Sequence, residues 1–330
     1  MGRRSDHVSG ISASILSRRS FTRAALAATA IGLAGPAASR ALAQSATPSA
    51  SPASGETREI ETIHGPITIP ANPMRIVPVN FPSAVTLLEL GVMPVGITSY
   101  LPKLAPGIAT PDGIPVIQTE SGEFDLELIA SLKPDLIVGS DWKDPEKQLA
   151  PYEEFTHIAP TVLFEWKQAA GNWPVEAAGC ADAVGKTAEF EALRASYLDL
   201  AQTVKTTYAA QLEAYTWDLF SAGADAWYLY GPSSSHGQVL AEAGIHFGAA
   251  ASQTDGYVEY SPERFDLLKD TGALLTYADE VEATMAQPTF ASLPAVTAGH
   301  LFTSEYFFPS SYGLSSALLK DIEAGLKQLS

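Results

Sequence analysis

The chain has 330 residues, of which 46% are hydrophobic, and its 37 acidic residues outnumber its 20 basic ones. This length and apolar content are enough for one large domain or for two lobes that each bury a core. A formal net charge of −17 repels nucleic acid and anionic lipid head groups, so nucleic-acid binding is excluded.

Residues 1–43 are predicted to be an export signal. Paired arginines within 17–23 resemble the twin-arginine export motif, an Ala-rich run follows at 24–34, and 41–43 read Ala-Leu-Ala, the pattern of a cleavage site. The apolar run is short for a membrane span, and an anchor helix is the alternative. Cleavage would remove six basic residues and one acidic residue, leaving 14 against 36 and a net charge of −22. We therefore expect a periplasmic or otherwise extracytoplasmic protein, and not a lipoprotein, because no cysteine lies near the cleavage site.

Residues 44–56 are rich in Pro, Ser and Ala and are predicted to form a disordered tether before an N-terminal lobe at 57–170. The lobe should open with a hairpin that turns at His64-Gly65-Pro66. Apolar runs that alternate with helical patterns predict a parallel α/β sheet. The expected strands are 75–79, 95–98, 115–117, 136–139 and 161–164.

The stretch 124–139 shows the repeating unit of this lobe. Apolar residues recur at helical spacing across 126–132, and Pro134 ends the helix because it disfavours the α conformation at Lys133. Residues 136–138 are a solid apolar run, which is typical of a strand covered on both faces.

Residues 171–213 are predicted to be one long, slightly broken helix, or two consecutive helices, that connects the first lobe to a C-terminal lobe at 214–330. The second lobe repeats the alternation of strands and helices. Its expected strands are 217–220, 227–230, 274–277 and 300–303, and its expected helices are 236–243 and 314–329. A further helix should start at Ser261-Pro262-Glu263, because Ser is a favoured N-cap and Pro a favoured first helical residue.

Six short segments occur together in one order and spacing across the chain. They are 69–77, 87–96, 126–137, 159–162, 261–264 and 293–299. Together they resemble the substrate-binding proteins of ABC importers for iron–siderophores, haem and vitamin B12. The resemblance implies two Rossmann-like lobes with mostly parallel central sheets, joined by a long α-helix, with the ligand in a cleft between the lobes. It also implies capture of a ferric siderophore, or a related metal chelate, for delivery to a dimeric permease with a cytoplasmic ATPase.

Aromatic and lysine side chains follow several of the predicted strands. Because ligands of open α/β sheets lie outside the carboxyl ends of the strands, these residues are the predicted ligand contacts. Aromatic faces supply contact area and lysines supply positive charge, which suits a bulky ligand with polar or negative oxygens. The predicted contacts are Tyr100, Lys103, Trp142, Lys143, Trp166, Lys167, Tyr230, His236 and Tyr306.

Two carboxylates are assigned to partner recognition by the resemblance alone. Glu127 matches the acidic residue of the first lobe that meets an arginine pocket on the permease, and Glu263 matches its counterpart in the second lobe. A solvated surface charge is the alternative for Glu127.

Other functions find less support in the sequence. The histidines after residue 43 are scattered without metal-ligand spacing, which argues against bare-metal binding, whereas haem needs only one axial Tyr or His. Cobalamin or haem is therefore the alternative ligand. An exported hydrolase is the alternative of another class, although Ser235-His236 is the one adjacent nucleophile–base candidate and the usual catalytic motifs are absent. We expect a monomer without catalytic residues, cofactor or directly bound metal.

Overall fold

The structure, a computed structural model, describes residues 55–99, 108, 113–118, 122–167, 170–223 and 225–329. The expected signal and nearly all of the expected tether lie outside these residues. Within the described ranges, no helix combines the length and the apolar character that crossing a membrane requires.

The first lobe is a parallel sheet with a hairpin beside it. Strands β1 (Thr57–Thr62) and β2 (Gly65–Pro70) form the hairpin, and β3 (Ile76–Pro78), β4 (Leu136–Asp141) and β5 (Thr161–Glu165) form the parallel sheet in the order β3-β4-β5. Its helices are α1 (Phe81–Glu89), α2 (Leu126–Ser131) and α3 (Tyr152–Ile158), with a 3-10 turn at Pro145–Lys147. The expected strands at 95–98 and 115–117 reduce to one parallel bridge between Ile97 and Val116.

Three helices follow where one or two were expected. They are α4 (Trp173–Ala183), α5 (Thr187–Thr207) and α6 (Ala209–Ala214). The chain leaves α4 at Gly185, whose φ of 70° lies in the left-handed region that glycine adopts without strain. Helix α4 packs on the first sheet through Cys180, and the 21-residue α5 contributes Tyr197 and Val204 to the core of the second lobe. Helix α5 is therefore the long helix that connects the lobes.

The second lobe is built on a mixed sheet with the strand order β11-β10-β6-β7-β9. Strands β6 (Thr216–Ala222), β10 (Ala273–Tyr277) and β11 (Leu301–Ser304) are parallel, as is the short β8 (His246–Phe247) beside β6, whereas β7 (Trp227–Tyr230) is antiparallel to β6 and to β9 (Tyr257–Tyr260). The helices are α7 (Ser235–Glu242), α8 (Val281–Met285), α9 (Pro288–Ala291), α10 (Pro294–Thr297) and α11 (Tyr312–Leu326), and 3-10 turns lie at Ala251–Gln253, Pro262–Leu268 and Ala278–Glu280. The start expected at Ser261 is thus the start of a 3-10 helix.

The corner after α2 differs from expectation in one respect. Lys133 does not become extended before the proline but has a φ of 50°. The guanidinium of Arg75 donates hydrogen bonds to the carbonyls of Leu132 and Lys133 at this helix end, which satisfies acceptors that the helix leaves open. Asp135 accepts the backbone N–H of Arg75 at 2.8 Å, so the corner is fixed to the start of β3.

The two lobes are joined directly by a half-buried carboxylate. Glu89, at the end of α1 in the first lobe, accepts the hydroxyl of Ser311 at 2.6 Å and the N–H of Gly313 at 3.2 Å, at the start of α11 in the second lobe. A Cβ on Gly313 would collide with the carboxylate, so a larger residue at this position would displace the Glu89 side chain from the start of α11. Burial raises the pKa of Glu89, and the hydrogen bonds at the helix start oppose that rise.

We predict that Glu89→Ala lowers the free energy of unfolding by about 1–3 kcal/mol, because it leaves the Ser311 hydroxyl and the Gly313 N–H buried without an acceptor. Urea denaturation followed by circular dichroism measures the change. The exposed Glu154→Ala, on α3, is the control. Equal effects of the two substitutions would show that the carboxylate does not hold the lobes together.

A second half-buried carboxylate follows β10. Glu280 accepts the N–H of Ala222 at 2.7 Å and the hydroxyl of Thr276 at 3.3 Å. Burial raises the pKa of Glu280 to about 7 against the opposing hydrogen bonds, and the neighbouring Asp279 adds to the rise. Folding therefore favours the protonated form of this side chain.

We predict that Glu280→Gln removes part of the pH dependence of stability. A carboxyl with a folded pKa above its unfolded value stabilises the fold at low pH, and this contribution is lost as the pH rises through about 7. The stability of Glu280→Gln relative to the parent should thus increase by about 1–3 kcal/mol from pH 4.5 to pH 8. Denaturation across this range tests it against the exposed Glu282→Gln, and a pH-independent difference would contradict the prediction.

Candidate ligand-binding cleft

A cavity of about 740 Å³ opens between the two lobes. This volume is in the range of small-molecule sites. On the first lobe it begins where β4 and β5 end, at the carboxyl edge of a parallel sheet, where ligands of such sheets bind. The lining residues are Trp142, Lys143, Asp144, Glu165, Trp166, Lys167 and Gly171 from the first-lobe side, and Ser233, Asp255 and Gly256 from the second lobe.

The loops of the first lobe are organised by Asp141, the last residue of β4. Its carboxylate is buried and accepts the N–H groups of Trp142 at 2.8 Å, Leu149 at 3.0 Å and Ala150 at 2.8 Å. Its carbonyl accepts the N–H of Trp166 at 2.7 Å. One residue thereby holds both tryptophan–lysine pairs at the same edge of the sheet.

A second carboxylate lies buried at this edge of the sheet. Glu176 of α4 is 1% exposed and accepts the Asn80 amide at 2.8 Å and the Ser83 hydroxyl at 2.9 Å. Asn80 also donates to the Ser140 hydroxyl next to Asp141, at 2.5 Å. Burial raises the pKa of Glu176, while its hydrogen bonds act in the opposite direction. The network ties the ends of β3 and β4 to α4.

The sole cysteine belongs to the same helix. Cys180 is fully buried, and burial raises the pKa of its thiol well above the ordinary range. It is an apolar packing residue.

The wall from the second lobe is a polar turn. Ser233 donates its hydroxyl to Asp255 at 2.6 Å and accepts the N–H of Gly256 at 2.7 Å. Gly256 has a φ of 72°, a conformation that other residues adopt with strain. The turn presents the exposed Asp255 carboxylate to the cavity in a fixed position.

Two of the predicted contacts are buried in the core of the second lobe. Tyr230 donates or accepts a hydrogen bond with Ser221 at 3.1 Å, and its ring lies 4.3 Å from that of His236. His236 is fully buried against Phe307, and burial lowers its pKa to about 3, so the ring is neutral at physiological pH. Its Nε2 has no hydrogen-bond partner in the described part of the chain. Neither residue lines the cavity, because aromatic packing holds both inside.

The remaining predicted residues divide further. Trp142, Lys143, Trp166 and Lys167 line the cavity together. Tyr306 is half-buried and packs on the small cluster of Phe81, Val85, Ile97 and Leu314 that spans both lobes. Tyr100 and Lys103 lie outside the described residues.

Sequence reasoning missed several polar residues of the wall. Asp144 and Glu165 directly flank the tryptophan–lysine pairs in sequence. Their position next to these pairs could have identified them as residues of the wall. Asp255-Gly256 is a typical turn pair, but only the fold brings it opposite the first lobe. Among the described residues, no group of three His, Cys, Asp or Glu is placed to hold a metal ion.

The two carboxylates assigned to partner recognition are exposed on separate lobes. Glu127 lies in the first turn of α2, and Glu263 in the first turn of the 3-10 helix Pro262–Leu268. A hydrogen bond from the Ser261 hydroxyl lowers the pKa of Glu263.

Comparisons with known proteins agree with this architecture. The chain is 26% identical over 259 residues to the Fe(3+)-citrate-binding protein YfmC of Bacillus subtilis, covering 76% of this chain and 79% of the relative. The siderophore periplasmic binding protein from the fuscachelin gene cluster of Thermobifida fusca has 27% identity and a TM-score of 0.69, covering 79% of this chain and 98% of that one. Staphylococcus aureus SirA, solved with staphyloferrin B, shares the fold with a TM-score of 0.68 at 18% identity, covering 82% of this chain and 99% of that one.

A protein-family comparison gives the assignment. The periplasmic binding protein family matches residues 115–305, which include the cavity-lining loops of both lobes and the helix between them. The chain therefore belongs to the periplasmic binding protein family.

Proposed function

We propose that this chain is an exported solute-binding protein that captures a ferric siderophore, or a related metal chelate, and delivers it to the permease of an ABC importer. The observation that carries the proposal is the cavity between the lobes, faced by two tryptophan–lysine pairs at the ends of β4 and β5. The relatives that bind ferric citrate and siderophores support the same class of ligand.

The cleft is suited to binding an organic shell around a metal. Indole faces supply contact area at low cost in conformational entropy, and the lysine ammonium groups donate hydrogen bonds to chelating oxygens. The metal is cargo held by the chelator.

The protein acts on its ligand by binding, without catalysis, in this proposal. The one adjacent nucleophile–base candidate is Ser235 with His236, at 3.4 Å from hydroxyl to Nδ1. Both side chains are fully buried and separate from the cavity lining, which supports a binding role for the cleft.

Export, a monomeric state and docking through Glu127 and Glu263 are parts of the same proposal. The two carboxylates are exposed, as docking residues must be, and each lobe supplies one. A permease with two-fold symmetry could contact both lobes at once and register the receptor above its channel.

We predict that Trp142→Ala and Trp166→Ala each weaken binding of a ferric siderophore by about tenfold, or ~1.4 kcal/mol, because each removes an aromatic face from the cleft. Intrinsic fluorescence measures the affinity. The chain has five tryptophans, and Trp173, Trp217 and Trp227 are buried, so quenching by ligand should come mainly from the two cleft residues.

Trp142→Phe and Trp166→Phe are the matched controls, since they keep an aromatic face and should retain most of the affinity. If both alanine variants bound the ligand with the affinity of the parent, the ligand would bind somewhere other than this cavity. Quenching by haem or cobalamin, and not by ferric siderophores, would show that the proposed ligand is wrong. Ester hydrolysis without any chelate binding would show that the proposed function is wrong.

We predict that reversing Glu127 and Glu263 together to Arg abolishes uptake of the ferric chelate and leaves its affinity for the purified protein unchanged. Radioactive iron uptake into cells and fluorescence titration measure the two properties. A double reversal at the exposed Glu154 and Glu282 changes the net charge equally and should transport normally. A loss of affinity in the Glu127 and Glu263 variant would place these carboxylates in ligand binding.

A further inference from the structure

The charges of the cavity point to a narrower class of ligand. We propose that the cleft selects a ferric chelate that is uncharged around the metal and carries a protonated amine, as the ferric complex of the hydroxamate desferrioxamine B does, and that Asp255 receives the amine. This inference rests on the proposed function.

The first observation is where the arginines are. Each arginine in the described ranges has a partner away from the cavity. Arg58 pairs with Asp182, Arg75 binds the carbonyls that end α2, Arg194 pairs with Glu191 and Arg264 pairs with Asp266. No described cavity residue is therefore an arginine. The guanidinium is the side chain that binds carboxylate oxygens in pairs with fixed geometry, and a polyanionic chelate would gain most from it.

The second observation is the charge of the lining itself. Two lysines, Lys143 and Lys167, face three carboxylates in the described wall. Lys147, just outside the lining, pairs with Asp144 at 3.3 Å, which leaves Glu165 and Asp255 against the two lysines. The described part of the wall thus has no net positive charge, and the whole chain is strongly acidic.

The size of the cavity makes this balance matter. A sphere of about 740 Å³ is about 11 Å across, so its centre lies within one Debye length of the surrounding wall in physiological salt. A ligand inside it therefore interacts with the positive and negative side chains together. Ferric citrate and ferric catecholates carry excess negative charge, whereas hydroxamate groups balance the charge of the ferric ion. A wall whose charges balance therefore favours the ferric hydroxamate complexes.

The third observation is the placement of Asp255. It is the one charged residue that the second lobe contributes to the described lining, and it lies opposite the lysines of the first lobe. The Ser233 hydroxyl holds Oδ1 at 2.6 Å, and the Gly256 N–H in turn fixes Ser233. Oδ2 accepts no hydrogen bond from the described residues, so a fixed carboxylate oxygen is open to a donor in the cavity. An ammonium group matches it in charge and in hydrogen-bonding role.

The test uses three probes and two variants. The probes are ferric desferrioxamine B with its free terminal amine, the same complex with that amine acetylated, and ferric citrate. The parent protein should bind the amine form about fivefold more tightly than the acetylated form, the size typical of one partly exposed charge pair, and ferric citrate more weakly than both. The preference for the amine should diminish as salt is added.

The variants isolate the carboxylate. Asp255→Asn keeps the shape of the side chain and should bind the amine and acetylated forms equally, with the acetylated form unaffected. Asp199→Asn on α5 makes the same charge change at an exposed position outside the described lining and should keep the preference.

Two results would overturn the inference while leaving siderophore capture intact. One is a tighter complex with ferric citrate than with either hydroxamate complex. The other is an amine preference that persists in Asp255→Asn. If none of the three chelates quenches fluorescence or shows heat of binding by calorimetry, this inference fails.

Discussion

The side of the first lobe that faces the cavity depends on one buried carboxylate. Asp141 stands at the end of β4, where the sheet gives way to the loops, and a charge in that position must find several donors. It finds them in three backbone N–H groups of the following loop, while its carbonyl holds the next loop through Trp166. The paths of two loops are thus set by one residue, the first through its side chain and the second through its backbone carbonyl.

The same principle recurs at two other places. Glu176 gathers side-chain donors from the ends of β3 and β4, and Glu89 gathers donors from the start of α11 in the other lobe. Each carboxylate joins elements that are distant in sequence, and each loses hydrogen bonds if those elements separate. A ligand that entered the cavity would therefore meet walls that are already in position, and less of its binding free energy would go into ordering them.

The sequence predicted the parts of this arrangement that depend on local patterns. The strand at 136–141 follows from its apolar run, and the positions of Trp142 and Trp166 follow from the rule that parallel strands present their carboxyl ends to ligands. Contacts between residues that are distant in sequence could not be predicted from local patterns. Lys133 takes its left-handed conformation at a corner where Arg75 binds carbonyls, a contact that spans 58 residues.

Burial was the other property that local patterns did not supply. His236 follows a predicted strand just as Trp142 does, yet it points into a core of aromatic rings, and nothing in its immediate sequence distinguishes the two cases. The segments 95–98 and 115–117 have the composition of strands but pair with each other at one position only. Asp255 could be identified as a wall residue only from the fold, because it lies across the cavity from the first lobe.

Cys180 has a practical meaning beyond packing. It is the only cysteine of the chain, it is enclosed in α4, and its thiol resists ionisation. A cysteine introduced at the exposed Lys147, just outside the cavity lining, would then be the one thiol that a maleimide dye reaches. A fluorescent sensor for the ligand could therefore be made by labelling this single position, without first removing the native cysteine.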